Sequence, residues 1–362
     1  MAKSHTTALL VGTSTPAGRD GEGVLLTELD TERGVLRRVA AVTDLLNPSF
    51  LAFSPIGPAA YTTSVVDALG GRRTGALVSL TLRGTDPAVS GVVETGSTGP
   101  CHVAVAPDGR HAVVANYRGG AASVISLEPG GPVVERTDLV QHQGSGTDPD
   151  RQEGPHPHSA TFDPTGERAL VCDLGLDRVL FYRLDAEAGR LEPLPQLDVA
   201  TPAGTGPRHL DFSPDGRHLY VAGELNSTLL VYAYDPATGE TEQLQVADTL
   251  GGAAPGERNY PADVHVHPGG RFVYLSNRGL HAIAIFAIDE RDGRVELVGN
   301  QPGGGVWPVN FAIHPEGRLL LCANQHSDNV VPFWIDPATG ALAQADEAFA
   351  VRSPACLRFT PS

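Results

Sequence analysis

The chain has 362 residues, 42 of them acidic and 26 basic, for a formal charge of −16. So large a negative excess argues against nucleic acid or an anionic membrane as partner, since both would repel it. No apolar run approaches the roughly 20 residues of a membrane helix, and residues 1–5 lead into a strand rather than a signal peptide, so a cytoplasmic protein is expected.

Alternating apolar residues predict three strands near the N-terminus, over 7–12, 24–30 and 35–42. From there a unit of roughly 50 residues recurs, a period that marks a solenoid or a propeller. Copies begin near Pro48, Pro100, Pro155, Pro207, Pro261 and Pro308, and each carries a Pro-x-Gly turn. In the clearest copy, short strands are predicted over 209–212, 218–222, 228–234 and 241–246, with Ser-Pro-Asp-Gly and Asp-Pro-Ala-Thr-Gly as turns. Four short strands rich in Val, Leu, Tyr and Phe describe one antiparallel blade, and no segment carries a capped helical period. Residues 354–362 read as a first strand that stops at its turn, and the three N-terminal strands supply the rest of that blade. The expectation is an all-β, seven-bladed β-propeller forming a single domain over 1–362, closed by terminal strands that share one blade and leave no open edge.

In a hairpin, residues equidistant from the turn face each other. Counting out from each Pro-x-Gly places Pro207 opposite Glu224, Arg208 opposite Gly223, and His158 opposite Asp173. It also places His102 opposite Ala115, Pro261 opposite Arg278 and Pro308 opposite Gln325. All first strands begin, and all second strands end, at one rim. That rim collects His102, Asn116, Arg151, Gln152, His156, His158, Asp173, Arg208, His209, Glu224, Asn277, Arg278, Asn324 and Gln325. The other rim receives ordinary hairpin turns. Titratable residues gathered at one mouth of a closed ring predict a binding site there, and arginines in an acidic chain suit a small anionic or sugar-derived substrate.

The segments Asn47-Pro48-Ser49-Phe50-Leu51-Ala52, Pro100-Cys101-His102, Pro155-His156-Pro157-His158, Asp173-Leu174-Gly175, Gly206-Pro207-Arg208-His209, Glu224-Leu225 and Ser276-Asn277-Arg278-Gly279 together resemble the lactonase family of seven-bladed propellers. That family includes propeller-type 6-phosphogluconolactonases and, more distantly, a carboxy-cis,cis-muconate cyclase. The resemblance spans essentially the whole chain. It implies a channel site in which His158, Glu224, Arg208 and Arg278 are the working groups. Two positions depart from the family pattern: Ser64-Val65 stands where Asn-Glu is common, and Pro308-Val309 where Pro-Arg is common.

The function implied is lactone hydrolysis, most directly of 6-phosphogluconolactone. Glu224 or His158 would serve as base towards water, the other assisting the leaving oxygen, with Arg208 and Arg278 on the anionic groups. A cyclase or isomerase using the same cationic pocket, and a non-catalytic interaction platform, are the alternatives.

No cofactor or metal is expected. His156-Pro157-His158 and His265-Val266-His267 match no zinc spacing, and Cys101, Cys172, Cys322 and Cys356 form no Cys-x-x-Cys. Cys172 and Cys322 read as core residues, while Cys101 beside His102 is a minor candidate nucleophile. The absence of a Gly-x-Ser-x-Gly elbow argues against an acyl-enzyme. The segment 148–154 is either a cover over the mouth or a solvated connection.

Overall fold

In a computed structural model, described over residues 5–14, 21–67, 73–84, 86–345 and 347–361, seven four-stranded antiparallel blades stand in a ring. Blade 1 is built from Leu51–Phe53, Ala59–Asp67, Arg73–Arg83 and Asp86–Glu94. The inner strands of blades 2 to 6 are Pro100–Val105, Pro157–Phe162, Pro207–Phe212, Pro261–Val266 and Pro308–Ile313. Blade 7 takes its inner strand from Pro354–Phe359 and its outer three from Thr6–Thr13, Val24–Asp30 and Val35–Val42. The shared terminal blade expected from the repeat is therefore present.

Most second strands are almost wholly buried, because each is central in its sheet and both faces meet neighbouring blades. His111–Asn116, Phe272–Asn277 and Leu319–Asn324 are buried at every residue. Between blades 4 and 5, for example, Tyr220, Leu229 and Val231 pack against Val264, Val273 and Phe286. A hydroxyl staple recurs on this packing. Tyr61 donates to Gly131 O at 2.8 Å, Tyr220 to Gly293 O at 3.0 Å and Tyr274 to Gly340 O at 2.8 Å, each reaching the outer turn of the next blade.

The register differs from the equidistance count at the site rim. Pro157 pairs with Asp173, Pro207 with Gly223, Pro261 with Asn277 and Pro308 with Asn324, whereas His102 does pair with Ala115. A bulge just after the proline of each of these inner strands absorbs the missing residue. Such bulges re-aim side chains at sheet ends. Here they set His158 and Arg208 on the irregular turn of backbone that borders the channel.

Candidate active site at one end of the channel

The bulges sort the rim into two sets. In blades 2, 3, 5 and 6 the residue that ends the second strand is a structural clasp. Asn277 Nδ2 donates to Thr249 O and Asn324 Nδ2 to Gly303 O, fastening the segments that arrive from the preceding blade. Asn116 Nδ2 bonds Ala121 O and Ser123 Oγ within its own blade. Asp173 caps the Leu174–Leu176 turn, accepts from His156 N at 2.7 Å and pairs with His142. Asn116, Asp173, Asn277 and Asn324 were expected to contact substrate. Their polar atoms instead satisfy backbone groups that burial would otherwise leave unpaired. Gln152 is likewise an anchor, accepting from Thr147 N and Asp148 N and donating to Leu174 O.

One residue further along, the chain turns to the channel. Glu224 and Arg278 hold this position in blades 4 and 5, and Gln325 holds it in blade 6. In each, the backbone N–H donates to the carbonyl preceding the inner-strand proline. Glu224 is the hub. Its Oε1 accepts from Arg151 Nη2 at 2.5 Å, and its Oε2 lies 2.9 Å from Arg208 Nε and 2.7 Å from Arg278 Nη2. The last two are charge contacts without an aligned N–H, so Arg208 Nε, Arg278 Nη2 and Glu224 Oε2 remain buried without a hydrogen-bond partner. Burial by itself would raise the Glu224 carboxyl, but Arg278, Arg208 and Arg151 outweigh it and bring it down to about 2. Burial and Arg278 lower the Arg208 guanidinium to about 10.

The segment 148–154 does cover the mouth. It carries Arg151 across to Glu224, and Asp148 ties it to Arg258 at 3.1 Å. Four guanidiniums, those of Arg151, Arg208, Arg258 and Arg278, thus share the two carboxylates of this network.

His158 stands beside the cluster. Burial, then the positive charges of Arg208, His209 and Arg278, hold its imidazole well below the ordinary range, so it is neutral near pH 7. Its ring meets Tyr117 edge-on at 5.3 Å and His209 at the same separation. Cys101 Sγ lies 3.3 Å from His158 O, and burial pushes its thiol up to about 12, which removes it as a nucleophile at neutral pH. His156 stacks on Tyr117 at 4.5 Å and bonds Tyr117 O, which sets it on the outer lip. His102 and His209 lie deeper, on the channel wall. His209 Nδ1 bonds Asp263 Oδ1 at 2.7 Å, leaving Nε2 to accept from Arg208 Nη1 at 3.2 Å.

The sequence reading missed an aromatic edge. The Tyr260 ring lies 5.5, 5.3 and 5.6 Å from the guanidinium carbons of Arg151, Arg258 and Arg278, and Arg278 also lies over Trp307 at 5.3 Å. A signal existed. Tyr260 and Trp307 each precede an inner-strand proline, where Asn47, Gly99, Gly206 and Ser353 stand in other blades with positive φ. Trp307 itself has φ 67°, a conformation that costs a bulky residue about 1 kcal/mol or more and so marks a site held by its surroundings.

A closed seven-bladed ring with a guanidinium–carboxylate cluster at one end of its channel has the build of a propeller enzyme with a small-molecule site. The chain matches the family described as "Lactonase, 7-bladed beta-propeller" over residues 8–359. It belongs to that family and is a lactone-hydrolysing enzyme with a small, sugar-derived substrate. It is 30% identical to a 6-phosphogluconolactonase of Bacillus subtilis across 80% of this chain and 79% of that one. A 6-phosphogluconolactonase of Formosa agariphila is 29% identical across 78% and 80%. The solved structure of a Pseudomonas aeruginosa periplasmic gluconolactonase superposes with a TM-score of 0.90 at 31% identity, covering 98% and 99% of the two chains. Among the described residues no helix is long and apolar enough to cross a membrane.

Proposed function

We propose that this lactonase opens the phosphorylated sugar lactone 6-phosphogluconolactone, with His158 as the proton-transfer group and the arginines as the anion site. The observation that carries this reading is the convergence of Arg151, Arg208 and Arg278 on Glu224. A carboxylate held near pKa 2 is a poor base, so Glu224 serves to keep three guanidiniums together. The neutral, partly accessible His158 then takes the proton of the attacking water.

The water oxygen bonds the lactone carbonyl carbon, and the proton passes to His158. The carbonyl oxygen becomes an oxyanion, which Arg208 stabilises from its fixed position. Collapse breaks the ring C–O bond, the alkoxide recovers the proton from His158, and the open-chain acid gives its remaining carboxyl proton to solvent and leaves as a carboxylate. Arg278 and Arg151 bind the substrate phosphate, as guanidiniums suit that group. Burial and, after it, the positive field of the arginines keep His158 weakly basic; an arriving dianion offsets the second of these, so binding raises the basicity the reaction needs.

The test compares freshly generated 6-phosphogluconolactone with gluconolactone, each corrected for spontaneous opening. The reading expects a kcat/KM preference for the phosphorylated lactone that narrows at least tenfold or so in Arg278→Ala. Equal kcat/KM for both lactones would refute the phosphate site. The four unpaired thiols suit a reducing compartment, so we place the enzyme in the cytoplasm. Recovery from the periplasmic fraction of its own host would overturn that placement.

A further inference from the structure

The inner strands run on from the Glu224 cluster to the opposite end of the channel, where the walls enclose a second cavity of about 240 Å³. His102, His209, Asp211, Asp263, His265 and Arg358 are its polar lining, and the remaining walls are mainly apolar. The acids of this lining are already engaged. Asp263 is buried and receives His209 Nδ1 at 2.7 Å, His265 Nε2 at 3.1 Å, the Asn310 amide and Phe311 N. Asp211 accepts from Phe212 N and Val266 N and faces His265 Nδ1 at 3.6 Å. Both nitrogens of His265 are thus committed to carboxylates.

Two donors are not so engaged. Arg358 is half-buried and lies over the Phe50 ring at 4.8 Å, and its Nη1 reaches only the carbonyl of Leu357. Among the described residues, no carboxylate stands within 4.0 Å of it. A guanidinium withdrawn from water ordinarily has an anionic partner. His102 Nδ1 accepts from Ala160 N at 3.3 Å, which fixes the ring proton on Nε2 and makes that atom a donor.

We propose that this far cavity is a second binding site, for a small carboxylate- or phosphate-bearing anion held by the Arg358 guanidinium and the His102 Nε2–H. The site is separate from the lactone-opening end and does not depend on the substrate assigned to it. The Asp263–His209–Arg208 hydrogen bonds form the partition between the two. The volume admits an anion of a few carbons, such as a sugar acid, as well as inorganic phosphate.

The test is ligand-observed NMR with inorganic phosphate and, separately, with gluconate, on the full chain. Arg278→Ala, which disables the near end, should still bind one of the two anions saturably. Adding Arg358→Gln should weaken that residual binding roughly tenfold or more, and Arg358→Lys should keep most of it. Arg358→Gln alone should leave lactone hydrolysis unchanged. Stronger binding of phosphate would assign a phosphate ligand to the site, and stronger binding of gluconate a sugar carboxylate. Two results overturn the proposal: no saturable anion binding in Arg278→Ala, or equal affinity with and without Arg358 in proteins of unchanged melting temperature. If Arg358→Gln does not fold, Arg358→Lys and His102→Gln carry the same comparison, and undiminished binding in folded His102→Gln counts against it.

Discussion

At the residue scale, Glu224 and His158 carry opposite expectations although they share a channel mouth. His158→Gln removes the proton acceptor while leaving the ion network untouched. Its kcat should fall by roughly 10² to 10⁴ with KM and melting temperature little changed. Glu224→Gln instead leaves three guanidiniums facing one another. Removing one partner of a buried ion pair costs about 3–5 kcal/mol, so that variant should melt several degrees lower and lose kcat/KM together with substrate affinity. A folded Glu224→Gln protein of normal stability, with kcat alone reduced, would return the role of base to Glu224.

Histidines set the pH limits. Burial depresses the His209 imidazole, Arg208 depresses it further, and Asp263 opposes both, leaving it at about 4. Its contribution is therefore complete above pH 6.5 and is lost as pH falls towards 4. His265 runs the other way. Burial would lower it, but Asp263 and Asp211 raise it to about 9, so its contribution is complete below pH 6.5 and fades as pH rises through 9. Melting temperature measured from pH 6 to 10 should decline on the alkaline side in the wild type, and that decline should flatten in His265→Gln. An unchanged slope would show that His265 is not held as a cation.

At the scale of strands, the inner strand Pro354–Phe359 has no substitute, because it alone completes blade 7 and meets both neighbouring inner strands. Deleting residues 354–361 exposes the edge of Thr6–Thr13 and opens the ring. The truncated chain should aggregate or lose its cooperative melt, whereas a soluble protein with the wild-type melting temperature would show that six blades suffice. Blade count, strand order and the shared blade were legible because each Pro-x-Gly turn repeats with alternating strands on either side. Register at the site rim was less so. A bulge after the inner-strand proline leaves no compositional mark; it pairs Asn277 and Asn324 with the prolines, where the count put Arg278 and Gln325, and leaves Glu224 and Arg278 one residue further on at the mouth. The four candidates His158, Arg208, Glu224 and Arg278 could still be picked out, since Pro-Arg-His and Asn-Arg-Gly are visible as residues whatever the register. Tyr260 and Trp307 did not, because an aromatic before proline reads as ordinary turn filling until its backbone angle is known.

At the scale of the molecule, a charge of −16 surrounds a mouth rich in arginine. The acidic surface repels an approaching anion at long range, while the mouth attracts it at close range. Screening acts over about 10 Å at 0.1 M salt and so weakens both, but the mouth contacts dominate once substrate is bound. Between roughly 0.05 and 0.5 M sodium chloride, KM for a phosphorylated lactone should rise several-fold, with kcat steady and KM for gluconolactone nearly flat. Parallel salt curves for the two lactones would place the phosphate outside the cluster.

The blade shared between residues 6–42 and 354–359 also imposes an order of events during synthesis. Six blades are translated while the three strands of the seventh wait without their innermost member, so a chain still short of residue 354 has no continuous channel wall. The inner strand Pro354–Phe359, which completes that wall, emerges from the ribosome after every residue of the Glu224 cluster. A nascent chain can therefore hold Glu224 and its arginines and still lack the ring that keeps them in place. The ring closes only when the two distant segments, residues 6–42 and 354–359, meet in one sheet.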